Sequence, residues 1–553
     1  MLLTVHTHSF SKSLLPSLIP LLLALLFAGL LSLAFLDNKY YYLAWVAFIP
    51  LLIAGEKLSS IKLYIVSLFG GFTFFASTTY WIVDFIVISK GHNVTISILL
   101  ACVYWLYCAH LIVLLLTLFY WLKKHTKIHE YILFPLIVAV LTSAYPLIFS
   151  VRLGESQVGF PIALQAIEFF GVQSLDAIIA LCNVVLFRLA YSLYAKKTLT
   201  VNDINSSLLV AVFFIFIWFA YGFFSYAVWE EKVAQWNTVK MGIVQPNEIP
   251  KIGKKTVYPG YTHTYPPEME MTERLSYLGA EVIVWPEAQD KQYFEHINIR
   301  NSYQTTMKNL DSSLIFQDMQ KIKAPRNGEL QAQYNMAVML NNNGQQVATY
   351  QKIERIPFGE YNPVAASYFL SEILIDDFFG DFSSELSQGT KHEIFKHHQM
   401  NIIPLICYET TFPQFVAQAV KAVKSQRDKT LGSILLGLSN DGWFGSTHQP
   451  YQHIMASVLR AVENRLPLVH VANNGPSIVV SPSGHIIFTT DFQKAGGYIV
   501  DVPQSNSAYG SFFSQYPNLF IYCLYTLLLF IIIGTLISVF VHPLRLSFKY
   551  LRK

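Results

Sequence analysis

Asn401-Ile402-Ile403-Pro404-Leu405-Ile406-Cys407-Tyr408-Glu409-Thr410 is an apolar run that stops abruptly at a thiol, an aromatic ring and a carboxylate. A short, continuous apolar run of this kind reads as a fully buried strand. Of the five cysteines, Cys102, Cys108, Cys182 and Cys523 lie inside long apolar stretches. Cys407 is therefore the one thiol of the polar part and has no disulfide partner there. Taken alone, a buried thiol is a small hydrophobe. At a strand end, among acids and lysines, it is also a candidate nucleophile. The choice turns on whether the chain supplies a base and a cation.

Outward from that strand the composition changes twice. The 553 residues are 53% hydrophobic, 15% aromatic and only 13% charged. Soluble domains carry about 25% charged residues, so much of this chain belongs in a membrane. The net charge of +4 is small and dispersed, which excludes a nucleic-acid partner at this level. There is no zinc-like cysteine or histidine spacing and no glycine-rich phosphate loop, so neither metal nor cofactor is expected.

A bilayer core takes about 20 apolar residues per helix. Candidate spans fall at residues 14–35, 40–54, 63–86, 96–121, 131–150, 175–194 and 207–229, with one more at 519–541. The first is too long, and lacks the cleavage site, for a removable signal peptide. The expected organisation is a seven-helix membrane domain (1–229), an α/β domain (230–516), and a final helix with a basic tail (517–553). Alternating spans put Lys12, Lys57, Lys62, Lys123, Lys124, Lys127, Lys196, Lys197, Arg545, Lys549, Arg552 and Lys553 on one side. The short loops opposite hold only Lys39, Lys90 and Arg152. By the positive-inside rule both termini are cytoplasmic and the α/β domain lies outside.

Within that domain, strands are expected at 239–244, 281–285, 335–340, 346–351, 401–406, 431–438, 466–471, 477–481 and 485–489. Helices are expected at 267–278, 412–424 and 452–465. The alternation predicts a layered α/β sandwich. Three of these strands end on reactive groups. Glu281-Val282-Ile283-Val284-Trp285-Pro286-Glu287 ends in a carboxylate, Gln346-Val347-Ala348-Thr349-Tyr350-Gln351-Lys352 in an ammonium, and the opening run in Cys407. A thiol needs a base, which Glu287 supplies. A tetrahedral intermediate carries an oxyanion, which Lys352 offsets.

Trp285-Pro286-Glu287, Lys352 with Pro357-Phe358-Gly359-Glu360-Tyr361, Cys407-Tyr408-Glu409 and Ser439-Asn440-Asp441-Gly442-Trp443-Phe444-Gly445 together resemble the motifs of the nitrilase superfamily. With spans before and after the domain, the chain resembles the membrane-anchored branch, the apolipoprotein N-acyltransferases. Gln449-Pro450-Tyr451-Gln452-His453, Arg460-Ala461-Val462-Glu463 and Asn473-Asn474-Gly475 extend the likeness. The resemblance implies a membrane α-helical bundle plus a four-layer αββα sandwich inserted between spans seven and eight. It also implies a monomeric enzyme of the bacterial inner membrane whose catalytic domain faces the periplasm. Glu287 would be the general base, Lys352 the oxyanion stabiliser and Cys407 the nucleophile. Glu360 would orient Lys352, and Tyr408 and Glu409 would support the nucleophile's turn. A membrane phospholipid would donate the acyl chain and a diacylglyceryl-apolipoprotein would accept it.

The chain departs from the family at Lys251, Lys254 and Lys255, near which many relatives have a tryptophan, and at Ala288-Gln289 after the acid. Both bear on substrate positioning and leave the triad intact. Tyr368-Phe369-Leu370, Ile373-Leu374-Ile375, Phe378-Phe379 and Trp443-Phe444 would either dip into the bilayer interface or fill the core. One rival reading is a membrane-tethered amidase with water as acceptor. Another is a transporter or scaffold, for which only Asp84, Glu168, Asp176 and Arg188 offer intramembrane charge.

Overall fold

The computed structural model describes residues 11–196, 206–250, 258–288, 290–324, 328–361, 363, 385–398, 400–422, 432–505 and 510–550. The lysines at 251, 254 and 255, Gln289, and the apolar residues at 368–370, 373–375 and 378–379 lie outside these described residues.

The described residues contain twelve strands. The first six are β1 (Thr238–Gln245), β2 (Val282–Val284), β3 (Ser313–Lys323), β4 (Leu330–Leu340), β5 (Gln346–Gln351) and β6 (Phe395–His397). The others are β7 (Met400–Ile406), β8 (Gly432–Ser439), β9 (Leu468–Ala472), β10 (Ile478–Val480), β11 (Ile486–Thr489) and β12 (Gly496–Pro503). They form two sheets, ordered β12-β1-β2-β3-β4-β5 and β11-β10-β9-β8-β7-β6. The central trios β1-β2-β3 and β7-β8-β9 are parallel, and every other pair is antiparallel. Parallel neighbours require a crossover. Helices Pro267–Tyr277, Ile297–Lys308, Pro413–Ala422 and Gln449–Asn464 supply the four that are needed.

The period of two along each strand decides what meets what. Met241, Ile243, Val282 and Val284 of one sheet pack on Ile402, Ile406, Leu436 and Leu438 of the other. Ile283, Leu314 and Phe316 turn outward onto Met269, Leu275, Tyr303 and Met307 of two helices. Ile403, Leu405 and Leu435 turn outward onto Phe415, Val416, Val458 and Leu459 of the other two. The result is the expected αββα order of layers. Each fully buried aliphatic side chain here contributes about 1.5–3 kcal/mol. Because β7 and β8 are covered on both faces, they read as unbroken apolar runs.

Among the described residues six helices are long and apolar enough to cross a membrane: Leu18–Leu36, Ser60–Thr78, Val94–His125, Val172–Leu193, Ser206–Ala234 and Leu519–Phe540. Two expected spans take another form. Residues 40–54 fold as a 3-10 turn, Asn38–Trp45, and a seven-residue helix, Ile49–Gly55. Residues 63–86 break into Ser60–Thr78 and a short helix, Ile82–Lys90. Glu130–Ala144, where a fifth span was expected, has only 15 residues. Intramembrane charges that a transporter reading would need are held in local contacts. Asp176 accepts from Gly154 N–H at 2.8 Å, and Arg188 pairs with Glu130.

One helix belongs to both halves of the molecule. Gln449–Asn464 lies on the second sheet and also against the membrane helices. Gln452 accepts from Trp81 Nε1 at 2.9 Å and donates to Thr78 O at 2.9 Å. Glu463 accepts from Val172 N–H at 2.8 Å, and just beyond the helix Arg465 pairs with Glu168 at 2.7 Å. Among its residues only Tyr451 is exposed.

Candidate active site

The three strand ends that sequence singled out converge. Trp285, fully buried, anchors the end of β2 by donating to Thr272 Oγ1 at 2.8 Å, and Glu287 follows two residues later. Lys352 extends β5, its N–H on Asn335 O at 2.8 Å. The same Asn335 donates its amide to Glu287 Oε1 at 2.6 Å, so one β4 residue fixes both groups. Lys352 Nζ lies 2.6 Å from Glu360 Oε1 and 3.9 Å from Glu287 Oε1. Glu287 and Lys352 both act electrostatically on the Cys407 thiol. Sequence quoted Asn335 only as a strand residue; its role depends on β4 lying between β3 and β5.

Cys407 leaves β7 with φ +50°, a left-handed conformation that costs a non-glycine residue about 1–2 kcal/mol. Glu409 holds this turn. One carboxylate oxygen accepts from Ile406 N–H at 2.7 Å. The other accepts from Tyr350 OH at 2.7 Å, Ile353 N–H at 2.7 Å and Glu354 N–H at 3.1 Å. Glu409 therefore ties the cysteine turn to the loop after Lys352. Glu360 likewise accepts from Ile356 N–H at 2.8 Å while holding Lys352. Tyr408 faces the membrane half, its hydroxyl donating to Ile148 O.

The electrostatics follow from burial. Burial pushes the Glu287 carboxyl up, and the Lys352 ammonium pulls the other way. Burial pushes the Cys407 thiol well up, reinforced by Glu287 and offset by Lys352. Burial alone would lower Lys352, but the carboxylates of Glu360 and Glu287 outweigh it and hold it charged. Burial pushes Glu409 up to about 7, against the N–H donors that favour its ionised form. Such a set can pass a proton from sulfur to carboxylate beside a fixed cation, the requirement of acyl transfer through a thioester.

Replacing Glu409 by Gln puts an NH₂ where one carboxylate oxygen accepts a backbone donor. Losing charge-assisted bonds of this kind costs about 1.5–3 kcal/mol. Glu409→Gln is expected to lower both the unfolding temperature and the turnover, the latter about tenfold or more. Thermal unfolding and rate assays on the detergent-solubilised protein check it.

A second buried cluster adjoins Cys407. Asp441 Oδ1 is 2.9 Å from His453 Nδ1 and accepts from Ser439 Oγ at 2.9 Å. His453 Nε2 is 2.8 Å from Thr410 Oγ1 and 3.2 Å from Cys407 O. His470 completes a trio whose candidate metal-ligating atoms lie within 4.8 Å of one another. This cluster joins Asp441 to His453 by a hydrogen bond, while His470 Nδ1 lies 3.0 Å from Ser457 Oγ. It also explains Gly475, since a Cβ there would sit 2.2 Å from Asp441 Oδ2.

Two sequence families match the chain in order. The apolipoprotein N-acyltransferase N-terminal domain matches residues 27–185, and the carbon-nitrogen hydrolase domain matches residues 262–508. The chain is similar to the apolipoprotein N-acyltransferases along most of its length. A family member from Geobacter metallireducens is 29% identical over 487 residues, 84% of this chain and 86% of that protein. Another, from Rickettsia typhi, is 28% identical over 280 residues, 51% of this chain and 52% of its own length. One from Rhizobium etli is 35% identical over 188 residues, 34% of this chain and 32% of its own length. This chain thus spans about half or less of the last two. Among solved structures, an amidase from Nesterenkonia, of the nitrilase superfamily, is 17% identical with a TM-score of 0.34, covering 48% of this chain and 92% of that one.

Proposed function

We propose that the protein transfers an acyl chain from a membrane phospholipid, through a thioester on Cys407, to the N-terminal α-amine of a diacylglyceryl-cysteine apolipoprotein. Glu287 takes the thiol proton, and the thiolate attacks the ester carbonyl while Lys352 faces the developing oxyanion. The ester C–O bond breaks, and the lysophospholipid leaves with the proton from Glu287. In the second step the amine adds to the thioester, Glu287 takes its proton, and the thiolate departs.

The observation that carries this reading is what surrounds the nucleophile on its membrane side. Tyr408 is in edge contact with Phe149, at 5.9 Å between ring centres. Phe149 in turn meets Trp81, Phe85 and Phe444. Phe444, which sequence left between interface and core, is buried in this aromatic group. An apolar wall built from the membrane half suits a lipid acyl chain and is unnecessary for a small amide. In this reading residues 1–229 and 517–553 form the membrane part of a bacterial inner-membrane enzyme. Residues 230–516 form the catalytic part on the periplasmic side.

The test is to incubate the full-length protein with phospholipid vesicles and analyse it by mass spectrometry. The expected result is an acyl adduct on the Cys407 peptide, with release of lysophospholipid. Adding a diacylglyceryl peptide should clear the adduct onto its α-amine. No adduct would sink the proposal, and clearance to free fatty acid alone would make the chain a hydrolase.

A further inference from the structure

Glu287 and Lys352 explain how the Cys407 sulfur loses its proton. The parallel register sets Ile406 opposite Leu438, so the next residues, Cys407 and Ser439, stand side by side at adjacent strand ends. Ser439 Oγ lies 3.8 Å from Cys407 Sγ, within reach for a hydroxyl-to-sulfur hydrogen bond. The same oxygen donates to Asp441 Oδ1 at 2.9 Å and lies 3.3 Å from His453 Nδ1. Ser439, Asp441 and His453 are all buried.

We propose that Ser439 is a further catalytic residue whose hydroxyl turns from Asp441 to Cys407 Sγ whenever that sulfur carries negative charge. Asp441 makes the turn possible because it keeps His453 as a partner at 2.9 Å when the serine proton leaves it. Asp441 and His453 are thus positioning residues. His453 also braces the turn through Thr410, whose hydroxyl lies 2.8 Å from Nε2 and 3.2 Å from Cys407 O. The hydroxyl matters most in the second acyl transfer step. There the amine nitrogen bonds to the thioester carbon, the C–S bond breaks, and the electron pair returns to sulfur. The amine proton passes to Glu287, so sulfur departs as a thiolate and gains from the Ser439 hydroxyl. This inference rests on the proposed acyl transfer.

The need for that donor is set by the surroundings. Glu287, Asp441 and Glu360 raise the Cys407 thiol and Lys352 lowers it, while the titratable His453 lies against Asp441 at 2.9 Å. Burial raises the thiol further, while Asp441 itself is held below its ordinary range: burial would raise it, but His453 and the Ser439 hydroxyl outweigh that. A neutral donor stabilises the thiolate without adding a charge to the site.

The experiment uses full-length protein in detergent and follows iodoacetamide alkylation of the Cys407 peptide against pH, beside steady-state transfer. Ser439→Ala is expected to raise the alkylation midpoint by about one pH unit. It should also lower kcat about tenfold, the loss of one hydrogen bond to a charged group, with KM for phospholipid unchanged. Ser439→Thr, which keeps the hydroxyl, should restore most of both. An unmoved midpoint in Ser439→Ala overturns the proposal even if kcat falls, since that marks a merely structural serine. A change confined to KM overturns it as well. If Ser439→Ala does not fold, Ser439→Gly is read by the same rule. Alkylation needs neither lipid nor lipoprotein, so a shifted midpoint in a protein that transfers no acyl chain would overturn the function and leave the serine's role standing.

Discussion

Glu287→Gln slows acyl-enzyme formation by between about 10² and 10⁴-fold, the usual contribution of a positioned general base. The substitution is nearly isosteric, and the Asn335 amide can still donate to the remaining oxygen. What disappears is the carboxylate, and with it the proton acceptor that acts on Cys407. The thiol, already raised by burial, then has Lys352 as the nearest group favouring its ionisation. In the parent protein the rate falls on the acid side as Glu287 gains a proton. Burial raises that carboxyl, so the fall comes at higher pH than for an exposed glutamate. Single-turnover acylation across pH checks both points. A Glu287→Gln variant within tenfold of the parent's activity, with its acid limb intact, would remove Glu287 from the mechanism.

Glu463→Ala destabilises the folded protein by about 3–5 kcal/mol, the range for removing one partner of a buried ion pair. Arg460 and Glu463 are both fully buried in the shared helix, with Arg460 Nε 2.9 Å from Glu463 Oε2, off the line of a hydrogen bond. Glu463 also receives Val172 N–H at the start of a membrane helix. Truncation therefore strands a guanidinium and an amide together, at the seam between the two halves. Glu155 is the remaining acid facing Arg460 and compensates only in part. Thermal unfolding in detergent measures the loss. A melting temperature within about 2 °C of the parent would show that the seam does not depend on this pair.

What sequence revealed was set by local pattern, and what it hid was set by distant partners. β7 and β8 stood out because burial on both faces leaves unbroken apolar runs, and β5 because its alternation ends at a lysine. β3 was missed because its outer half, Met319 to Lys323, leaves the core and reads as polar. β12 was missed because it starts with Gly496 and Gly497, yet it completes the edge by pairing with β1. The break between Thr78 and Ile82 has no local signal. Its polar groups are satisfied by Trp105, whose indole donates to Thr79, and by Gln452, some 370 residues away. The same holds at the site. Glu287, Lys352 and Cys407 are strand-end residues with motif neighbours, whereas Asn335 and Ser439 gain their contacts only through sheet register.

A water-soluble catalyst cut from this chain would inherit a problem at the helix Gln449–Asn464. Freeing residues 230–516 would not release a finished domain. It would bare Met455 and Ala456, which now line a cleft with Phe35, Trp81 and Phe149, and would leave Gln452, Glu463 and Arg465 facing lost partners. An apolar surface studded with orphaned polar groups invites aggregation. A soluble derivative has to be resurfaced along that helix, not merely trimmed at its ends.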